Sequence, residues 1–595
     1  MSAVVEAPAS AVGTPAGAQG AVAPTFRVRW LGRVRYQDAH ALQHALFERS
    51  PDDHLLLLEH PHVYTLGVRA DPANLLLDAE ALRGLGADVV ETDRGGDVTY
   101  HGPGQLVGYP ILTVPGKRGG GMADTVAYVT SVEQLLIDVL ADLGLPGCGR
   151  LRGYPGVWVD PEGPRPRKVA AIGVKLSRGR SMHGFALNVD PDLVWFERMV
   201  PCGISDKGVT SLAAEGLDVS MHEVVDAVVA RASAAWGEGI GHPVQRTDVV
   251  WRHAAGDGDL SPFSRGEGPG EAVRPEREGT SVRLGSRLDE AGVTEGLEIS
   301  SRKPEWMRVP VQTSPDYLRL KREISSAGLV TVCEEAGCPN IWECWGEGTA
   351  TFMINGERCT RACGFCLVDT RHPEPSDPAE PEKVADAVER MGLSYAVLTT
   401  VARDDLADGG ASGFVRTVEA IRRRTPTTKV ELLISDCKGD PASLQAIFGS
   451  RPDVLNHNVE TVARLQRAVR PSAGYARSLA VLARAKEAEL ITKSGLIVGM
   501  GETFDEVVAT LADLRSVGVD IVTIGQYLRP TSHHLPIARW WTPDELSALA
   551  DAGRALGLAH VEATPLTRSS HHAEHSYDVA LAATPVSLTA RPGAG

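Results

Sequence analysis

Six of the nine cysteines of this 595-residue chain lie between Cys333 and Cys366, in two groups of three. The first group is Cys333, Cys338 and Cys344, with the spacing C-x4-C-x5-C, and the second is Cys359, Cys363 and Cys366, with the spacing C-x3-C-x2-C. Thiolates that converge on one point bind soft metal ions or iron–sulfur clusters. This part of the chain therefore has to fold around two such centres, and no other feature constrains the fold as strongly.

Each group is one thiolate short of the four that a [4Fe–4S] cluster usually takes. A metal centre with an open position is typical of catalytic rather than structural sites. Zinc and inert buried thiols are the alternatives. Structural zinc usually takes two paired Cys-x2-Cys or Cys/His clips, and only Cys363 and Cys366 have that spacing.

Length and composition set the outer limits. A chain of 595 residues, 43% hydrophobic and 23% charged, is expected to hold more than one globular domain. The net charge of −16 argues against nucleic acid as a main partner. The longest obvious apolar run, Leu55 to Leu58, is far too short to cross a membrane. Cysteines in ligand spacing predict a reducing, cytoplasmic setting.

Composition also divides the chain. Residues 1–25 contain Glu6 as their only charge and are otherwise small and apolar, so we expect a disordered tail. Globular pattern extends over 26–241, and a second globular region over 301–580, before a tail at 581–595. Between them, 242–300 includes GDGDLSPFSRGEGPGEAVRPEREG, which predicts a flexible linker that lets the two halves move independently.

The first region predicts an α/β domain, with strands at FRVRWLGRV and HLLLLEH and a helix from Tyr36 to Arg49. Cys202 lies between Pro201 and Gly203, on a predicted loop, and Lys168 begins the apolar run KVAAIGV. A nearby ammonium lowers the pKa of a thiol and activates it for attack on an ester or thioester. Taken singly, Lys168 is an ordinary surface lysine and Cys202 a small core residue.

The motifs RGGDVTYHGPGQ, KVAAIG, HGFALNV and PCG occur in this order, and together they resemble the lipoyl(octanoyl) transferase family. The resemblance implies a fold shared with biotin and lipoate ligases, and transfer of an octanoyl group through a thioester. It makes Cys202 the acyl nucleophile and Lys168 its proton partner. It implies an octanoyl pocket lined by Arg94, Gly95, Gly96, Asp97, Val98, Thr99, Tyr100, His101, Ala171, Ile172, Gly173, Gly184, Phe185 and Ala186.

In the second region, helical and strand patterns alternate from Glu382 to Tyr527. Such alternation predicts parallel strands covered by helices, arranged as a partial or complete (β/α) barrel. Polar residues follow several strands, among them Arg403 to Asp405, Asn456 to Asn458, and Gln526. In barrel enzymes the active site lies at this end of the strands.

The motifs CEEAGCPNIWECW, CTRACGFC, TTVARDDLADGG, LNHNVETV, TKSGLIVGMGET and TPLTRSSHHAE resemble lipoyl synthase, a radical S-adenosylmethionine enzyme. The resemblance implies that Cys359, Cys363 and Cys366 hold a [4Fe–4S] cluster with S-adenosylmethionine on its open iron. It implies that Cys333, Cys338, Cys344 and Ser570 hold an auxiliary [4Fe–4S] cluster that donates sulfur. The reaction implied is insertion of two sulfur atoms, at C6 and C8 of a protein-bound octanoyl chain.

Two positions depart from the family pattern. His571 stands where the family reads RSSY, and Cys437 stands in ISDCKGD where an aromatic residue is usual. We interpret Cys437 as a small buried residue. The run HHAEH at 571–575 could bind adventitious zinc.

The two resemblances support each other, because the amide product of the first half is the substrate of the second. They predict a bifunctional enzyme of lipoate assembly. Implied partners are octanoyl-acyl carrier protein, the lipoyl domains of 2-oxoacid dehydrogenase complexes, the glycine cleavage H protein and a low-potential electron donor. The alternative is an iron–sulfur binding or electron-transfer protein with a degenerate transferase domain.

Overall fold

The computed structural model describes residues 24–117, 123–200, 207–250, 287–298, 301–308, 331, 338 and 340–583. Cys202 and Cys333 lie outside the described residues, as do most of both predicted tails and most of the predicted linker. The bounds of the domains, linker and tails therefore stay predictions. None of the helices in the described ranges combines the length and the apolar character needed to cross a membrane.

The N-terminal half is built on a mixed sheet. Its strands are β1 (Phe26–Arg33), β2 (Asp53–Glu59), β3 (Val63–Leu66), β4 (Asp88–Glu91), β5 (Val98–His101), β6 (Gln105–Ile111), β7 (Cys148–Leu151), β8 (Tyr154–Val159), β9 (Arg167–Ser177), β10 (Arg180–Asn188), β11 (Gly208–Val209) and β12 (Val244–Asp248). Its α-helices are α1 (Tyr36–Arg49), α2 (Ala79–Gly84), α3 (Thr125–Asp142) and α4 (Met221–Ala232). The large sheet has the order β12-β1-β2-β6-β10-β9-β8-β7 with β11 along β9, and β4-β3-β5 form a second, small sheet.

The strand β2 shows why the large sheet is covered on both faces. All of its residues are buried, between β1 and β6. Leu56 and Leu58 pack into the cluster that contains α1, while Leu55 and Leu57 pack into the cluster that contains α3 and α4. A continuous apolar run is what a strand needs when helices cover both faces of its sheet. The predicted strands and the predicted helix α1 are confirmed.

The C-terminal half alternates strands and helices. Its α-helices are α5 (Ile341–Gly346), α6 (Glu380–Met391), α7 (Ala411–Arg424), α8 (Pro441–Gly449), α9 (Gln466–Val469), α10 (Tyr475–Glu487), α11 (Phe504–Ser516), α12 (Pro543–Ala555) and α13 (Ala573–Ala583). Its strands are β13 (Thr349–Ile354), β14 (Tyr395–Thr400), β15 (Lys429–Leu433), β16 (Val454–Asn456), β17 (Ile491–Val498), β18 (Ile521–Gln526) and β19 (His560–Ala563). All neighbours are parallel and follow sequence order, and β13 and β19 are the two edges. This is the predicted partial (β/α) barrel.

The two halves share one apolar core. Ala39, Leu42 and Leu46 of α1 belong to the same buried cluster as Leu479 and Leu482 of α10. The described end of the predicted linker joins this cluster too, through residues 288, 291 and 293.

Buried ion pairs cross the same interface. Arg29 in β1 pairs with Asp513 in α11 at 2.8 Å, and Asp38 in α1 pairs with Arg484 at 3.0 Å and with Arg477 at 3.4 Å. The prediction that the two halves move independently is therefore wrong. The composition of a linker sets its flexibility, but not whether the surfaces at its two ends bind each other.

Candidate active sites in the two halves

In the N-terminal half, β11 brings the end of the Cys202 loop next to Lys168. Lys168 is half-buried in β9, and its Nζ lies 4.8 Å from the centre of the Trp158 ring. Val209 pairs with Lys168 in a parallel ladder, and Thr210 N donates a hydrogen bond to Lys168 O at 3.0 Å. The 201–206 segment, which holds Cys202, lies outside the described residues and ends two positions before this strand pair.

Arg94 holds in place the loop that contains it, residues 92–97 between β4 and β5, which we call the Arg94 loop. Its buried guanidinium donates hydrogen bonds to Thr65 O at 2.6 Å, to Thr65 Oγ1 at 2.9 Å and to Asp97 O at 2.7 Å. The Asp97 carboxylate in turn accepts hydrogen bonds from Asn74 Nδ2 and from Val98 N. Both residues, predicted to line the octanoyl pocket, are thus the internal supports of the loop.

Glycines let the three motif segments approach one another. Gly95 N donates to Val174 O at 3.0 Å, and a Cβ on Gly173 would lie 3.1 Å from Gly95 O. A Cβ on Gly184 would lie 2.2 Å from Gly108 O, which no side chain can tolerate. The Arg94 loop is therefore packed backbone against backbone on β9, and β10 on β6, and Gly184 has no room for a side chain.

Of the other residues predicted to line the octanoyl pocket, some are buried in apolar clusters and others lie in paired strands. Val98 and Tyr100 are buried in a small apolar cluster with Tyr64, Phe185 is in the core beneath α3, and Ala186 is in the core beneath α1. Gly96 has a φ of +97°, Thr99 pairs with Thr65, and Ala171 and Ile172 are half-buried in β9 opposite β10. Their contacts with an octanoyl chain stay a prediction.

A hydrogen-bonded chain that the sequence did not reveal links the motifs. His101 Nδ1 lies 2.7 Å from Gln105 Oε1, Gln105 Nε2 donates to Asn188 Oδ1 at 2.9 Å, and Asn188 Nδ2 donates to Thr210 O at 2.9 Å. The chain runs from TYHGPGQ through HGFALNV to the strand that follows the Cys202 loop. The position of Gln105 and Asn188 inside motifs was the only sequence signal for them.

His101, the first member of this hydrogen-bonded chain, and the neighbouring His60 are both neutral. Burial, with a smaller effect from His60, lowers the pKa of His101 to about 3, and burial lowers the pKa of His60 to about 4. Both rings therefore act as hydrogen-bonding groups without charge at neutral pH. An uncharged, buried surrounding suits an apolar acyl chain.

In the C-terminal half, Cys359, Cys363 and Cys366 lie in the loop that follows β13, at the carboxyl end of the barrel strands. Backbone hydrogen bonds from three segments hold this loop: Cys359 N to Asp369 O at 2.8 Å, Gly364 N to Val469 O at 2.8 Å, and Leu535 N to Gly364 O at 3.0 Å. His534 Nε2 also lies 3.0 Å from Cys366 O.

The three thiols fit an iron–sulfur cluster. Cys359 Sγ accepts hydrogen bonds from the backbone N–H groups of Arg361 at 3.4 Å and Ala402 at 3.3 Å, as thiolate ligands commonly do. Burial raises the pKa of Cys363 to about 12 and that of Cys366 to about 11. Such thiols ionise when a metal centre replaces their protons, so metal binding and the folded loop depend on each other.

Arg361, between two of these cysteines, is the centre of a buried ion network that sequence reasoning missed. Its guanidinium donates to both oxygens of Asp404, at 2.7 and 2.8 Å, and to Asp436 Oδ1 at 2.6 Å. Burial opposes ionisation of Asp436, yet Arg361 and Arg477 hold the pKa of this carboxyl below its usual range. Arg477 also pairs with Asp38, so the network continues into the N-terminal half.

Cys338 and Cys344, two of the cysteines predicted to bind the auxiliary cluster, belong to a segment that contacts the chain just before the Arg568-Ser569-Ser570 turn. Cys344 is buried on α5, Cys338 is half-buried, and Cys333 lies outside the described residues. Asn340 Nδ2 donates to Leu566 O at 2.7 Å. Burial raises the pKa of Cys338, and the charge of the nearby Arg568 opposes that shift. The Arg568-Ser569-Ser570 turn is therefore next to cysteines more than two hundred positions away in the sequence.

Within this turn the two serines have different surroundings. Ser569 Oγ accepts a hydrogen bond from Asn458 Nδ2 at 2.8 Å. His571, the departure from the family pattern, lies 3.2 Å from Glu343 Oε2 on α5. The turn is thus fastened on both sides of Ser570, and the role of Ser570 as a cluster ligand stays a prediction.

The predicted strand-end residues do gather at this face. Arg403 donates to Asn355 O at 2.7 Å and pairs with Asp405, and His457 lies 3.0 Å from Ser478 Oγ. Gln526 Oε1 accepts from Trp541 N at 2.9 Å. These contacts hold the loops around the cysteines in place.

Two family models match the chain. Residues 35–233 match the lipoyl protein ligase A/B catalytic domain, and residues 353–514 match the radical SAM superfamily.

Curated relatives match the C-terminal half. The lipoyl synthase of Rubrobacter xylanophilus is 54% identical over 273 residues, which is 46% of this chain and 85% of that protein. The lipoyl synthase of Mycobacterium tuberculosis strain ATCC 25177 is 51% identical over 296 residues, which is 50% of this chain and 95% of that protein.

Solved structures are similar to each half at low identity. A bipartite lipoate protein ligase from Thermoplasma acidophilum is 16% identical with a TM-score of 0.32, covering 38% of this chain and 88% of its own. SuiB from Streptococcus suis bound to S-adenosylmethionine is 11% identical with a TM-score of 0.29, covering 36% of this chain and 49% of its own.

Proposed function

The chain belongs to the lipoyl synthase family, and from this premise we propose that its two halves act one after the other on the same carrier protein. The C-terminal half is a radical SAM lipoyl synthase, and the N-terminal half is a catalytic domain of the lipoate ligase and transferase type. The chain is a bifunctional enzyme of lipoate biosynthesis, and lipoyl-domain proteins are its substrates.

The observation that carries the proposal is the presence of both catalytic domains in one chain. A transferase that attaches an octanoyl group to a carrier lysine makes the amide on which sulfur insertion acts. The alternative, an electron-transfer protein with a degenerate transferase domain, is not favoured, because it gives no reason for the lipoyl synthase match.

In the first step, the Cys202 thiolate attacks the thioester carbonyl of octanoyl-acyl carrier protein and expels the carrier thiol. Lys168 takes the proton of Cys202 and returns one to the leaving thiol. The ε-amine of a lysine on the lipoyl domain then attacks the Cys202 thioester, Cys202 leaves as the thiolate, and Lys168 accepts the proton that the amine loses. Support comes from the pairing of Val209 in β11, a few positions after Cys202 in the sequence, with Lys168 in β9.

For the second step the cofactors are S-adenosylmethionine and [4Fe–4S] clusters. We assign one cluster to Cys359, Cys363 and Cys366, with the open position for S-adenosylmethionine, and the auxiliary cluster to Cys333, Cys338, Cys344 and Ser570. When bound, these groups supply the one-electron chemistry and the sulfur that replace C–H bonds at C6 and C8. The backbone N–H groups of Arg361 and Ala402 orient the Cys359 thiolate.

The finer partners belong to the same proposal. Octanoyl-acyl carrier protein donates the acyl group, a low-potential protein donates electrons, and the acceptors include lipoyl domains of 2-oxoacid dehydrogenases and the glycine cleavage H protein. Oxygen-sensitive clusters and six ligand thiols indicate a cytoplasmic setting.

One anaerobic experiment tests both steps. The reconstituted full chain is mixed with octanoyl-acyl carrier protein and an unmodified lipoyl domain, and then with S-adenosylmethionine and a reductant. Mass spectrometry should find the lipoyl domain first octanoylated and then carrying two additional sulfur atoms, with 5′-deoxyadenosine released. Octanoylation without sulfur would contradict the second assignment, and cofactor cleavage without prior octanoylation would contradict the first.

A further inference from the structure

A group of metal-binding side chains lies outside both sites described above. His40 and His44 are one turn apart on α1, and Asp93 is the residue immediately before Arg94 in the Arg94 loop. One donor atom from each of the three residues lies within 4.8 Å of the other two. The cluster therefore bridges the interface helix α1 and the start of the predicted octanoyl pocket.

The distances between the donor atoms match those between the ligands of one metal ion. His40 Nε2 lies 3.2 Å from His44 Nε2 and 3.4 Å from Asp93 Oδ1, and His44 Nε2 lies 3.8 Å from Asp93 Oδ2. Two ligands of tetrahedral zinc, each about 2.0–2.1 Å from the ion, are about 3.3 Å apart. Histidines at i and i+4 of a helix supply such a pair in known zinc sites.

The carboxylate is already oriented by other residues. His183 Nε2 lies 2.8 Å from Asp93 Oδ1, and Lys175 Nζ donates to Asp93 Oδ2 at 2.5 Å. Partners that hold a ligating carboxylate are the usual support of a metal site. Lys175 is also a competitor, because its ammonium occupies one oxygen and repels an incoming cation.

The cluster is open to solvent on one side. The side chains of His40, His44 and Asp93 are 29%, 37% and 34% exposed. An ion can therefore enter, and water can complete its coordination. Two imidazoles and one carboxylate select zinc, cobalt, nickel or copper over magnesium and calcium.

We propose that His40, His44 and Asp93 bind one divalent transition-metal ion of the zinc class, which fastens α1 to the residue preceding Arg94. The opposite face of α1 packs on α10 of the C-terminal half, so the ion would couple the acyl-pocket loop to the interface between the halves. The proposal does not depend on the assignments of Cys202 or of the clusters.

Cobalt(II) binding tests the proposal on the full chain with its clusters reconstituted anaerobically. Excess cobalt is removed, and bound cobalt is counted in wild type, in His44→Ala and in a His222→Ala control. His222 also forms an i, i+4 pair with a carboxylate, that of Asp226, but lies on α4 without a second histidine. We expect His44→Ala to bind one cobalt ion per chain fewer than wild type. The visible absorption of that cobalt ion should be absent from the variant. In wild type this absorption should show no thiolate-to-cobalt charge-transfer band, because the proposed ligands include no cysteine.

A second variant should change the cobalt affinity in the opposite direction. Lys175→Met should bind cobalt at least about tenfold more tightly, because a competing ammonium is removed. A merely disruptive substitution would not tighten binding. Equal cobalt content in His44→Ala and His222→Ala, or unchanged or weaker binding by Lys175→Met, would overturn the proposal.

Discussion

Arg94 in the N-terminal half and Arg361 in the C-terminal half are both buried arginines in a motif loop, but different partners hold them. Arg94 donates to neutral oxygens of Thr65, Gly95 and Asp97 within its own domain. Arg361 donates to the carboxylates of Asp404 and Asp436. One loop is tied by hydrogen bonds from a cation to neutral oxygens and the other by ion pairs between a cation and carboxylates.

The difference follows the chemistry of each site. An apolar acyl chain is best surrounded by groups that carry no net charge, and buried neutral histidines add to that surrounding. In the cluster-binding loop the charge of Arg361 is already balanced by the carboxylates of Asp404 and Asp436, so the loop is held by ion pairs that are buried together with the thiols. The ionic half also extends through Arg477 to Asp38, so it uses the neighbouring domain as a support.

The sharpest test of the comparison separates the two activities. Cys202→Ala should lower octanoyl transfer at least about a thousandfold, since loss of a covalent nucleophile removes the path it opens. It should leave sulfur insertion into a lipoyl domain that was octanoylated beforehand unchanged. Cys363→Ala should show the reverse pattern, measured by the same mass spectrometry. If either variant impairs both reactions equally, the two sites are not separate.

Removing the ion pairs between the two halves should strongly destabilise the protein. Asp38→Ala removes the carboxylate that pairs with Arg484 and leaves Arg477 with Asp436 as its acidic partner, and breaking a buried pair in this way costs about 3–5 kcal/mol of stability. The thermal midpoint should fall, and hydrogen exchange in α10 of the C-terminal half should accelerate. Glu48→Ala is the control, because its pair with Arg178 is exposed and worth less than about 1 kcal/mol. Equal effects of the two substitutions would refute the supporting role of Asp38.

Lowering the pH should first destabilise the part of the N-terminal half around His60 and His101. The folded-state pKa values of His60 and His101 lie below the ordinary 6.5, at about 4 and about 3, because of burial. The unfolded chain therefore binds protons before the folded one as the pH falls below about 6.5, and stability falls by about 1.4 kcal/mol per pH unit for each histidine. Hydrogen exchange at pH 7.5, 6.0 and 5.0 should accelerate in β2, β5 and β6 before it does in α6 and α7, which contain no histidine. Acceleration beginning in α6 and α7 would contradict this order.

The smallest expected effect concerns the neutral hydrogen-bonded chain. Asn188→Ala removes the donor to Thr210 O and leaves Gln105 Nε2 with its longer hydrogen bond to Tyr100 O, at a cost of about 1–3 kcal/mol. Octanoyl transfer should fall by roughly 5- to 100-fold, with sulfur insertion into pre-octanoylated carrier as the internal control. Asn188→Asp should recover part of the rate if its carboxylate still accepts from Gln105. No loss of transfer in Asn188→Ala would remove the chain from the active site.

Motif spacing predicted more of the C-terminal half than of the N-terminal half. The two cysteine triplets and the alternating pattern led to the barrel and to the end of the barrel where the cysteines lie. In the N-terminal half, Val98, Tyr100 and Phe185 were predicted to line a pocket, and the structure places their side chains in apolar clusters. A motif letter shows that a position matters, but packing decides which way its side chain points.

Sequence alone determined the strands and helices, the two cysteine groups and the order of the two domains, because these depend on periodicity and spacing within short segments. Only the tertiary structure decided that Asp38 reaches Arg477 and that His40 and His44 face Asp93. Each of these contacts joins residues that are distant in the chain, and charge or hydrogen bonding across such distances leaves no local pattern. The shared core between the halves was hidden for the same reason, since a flexible linker is compatible with bound or separate domains.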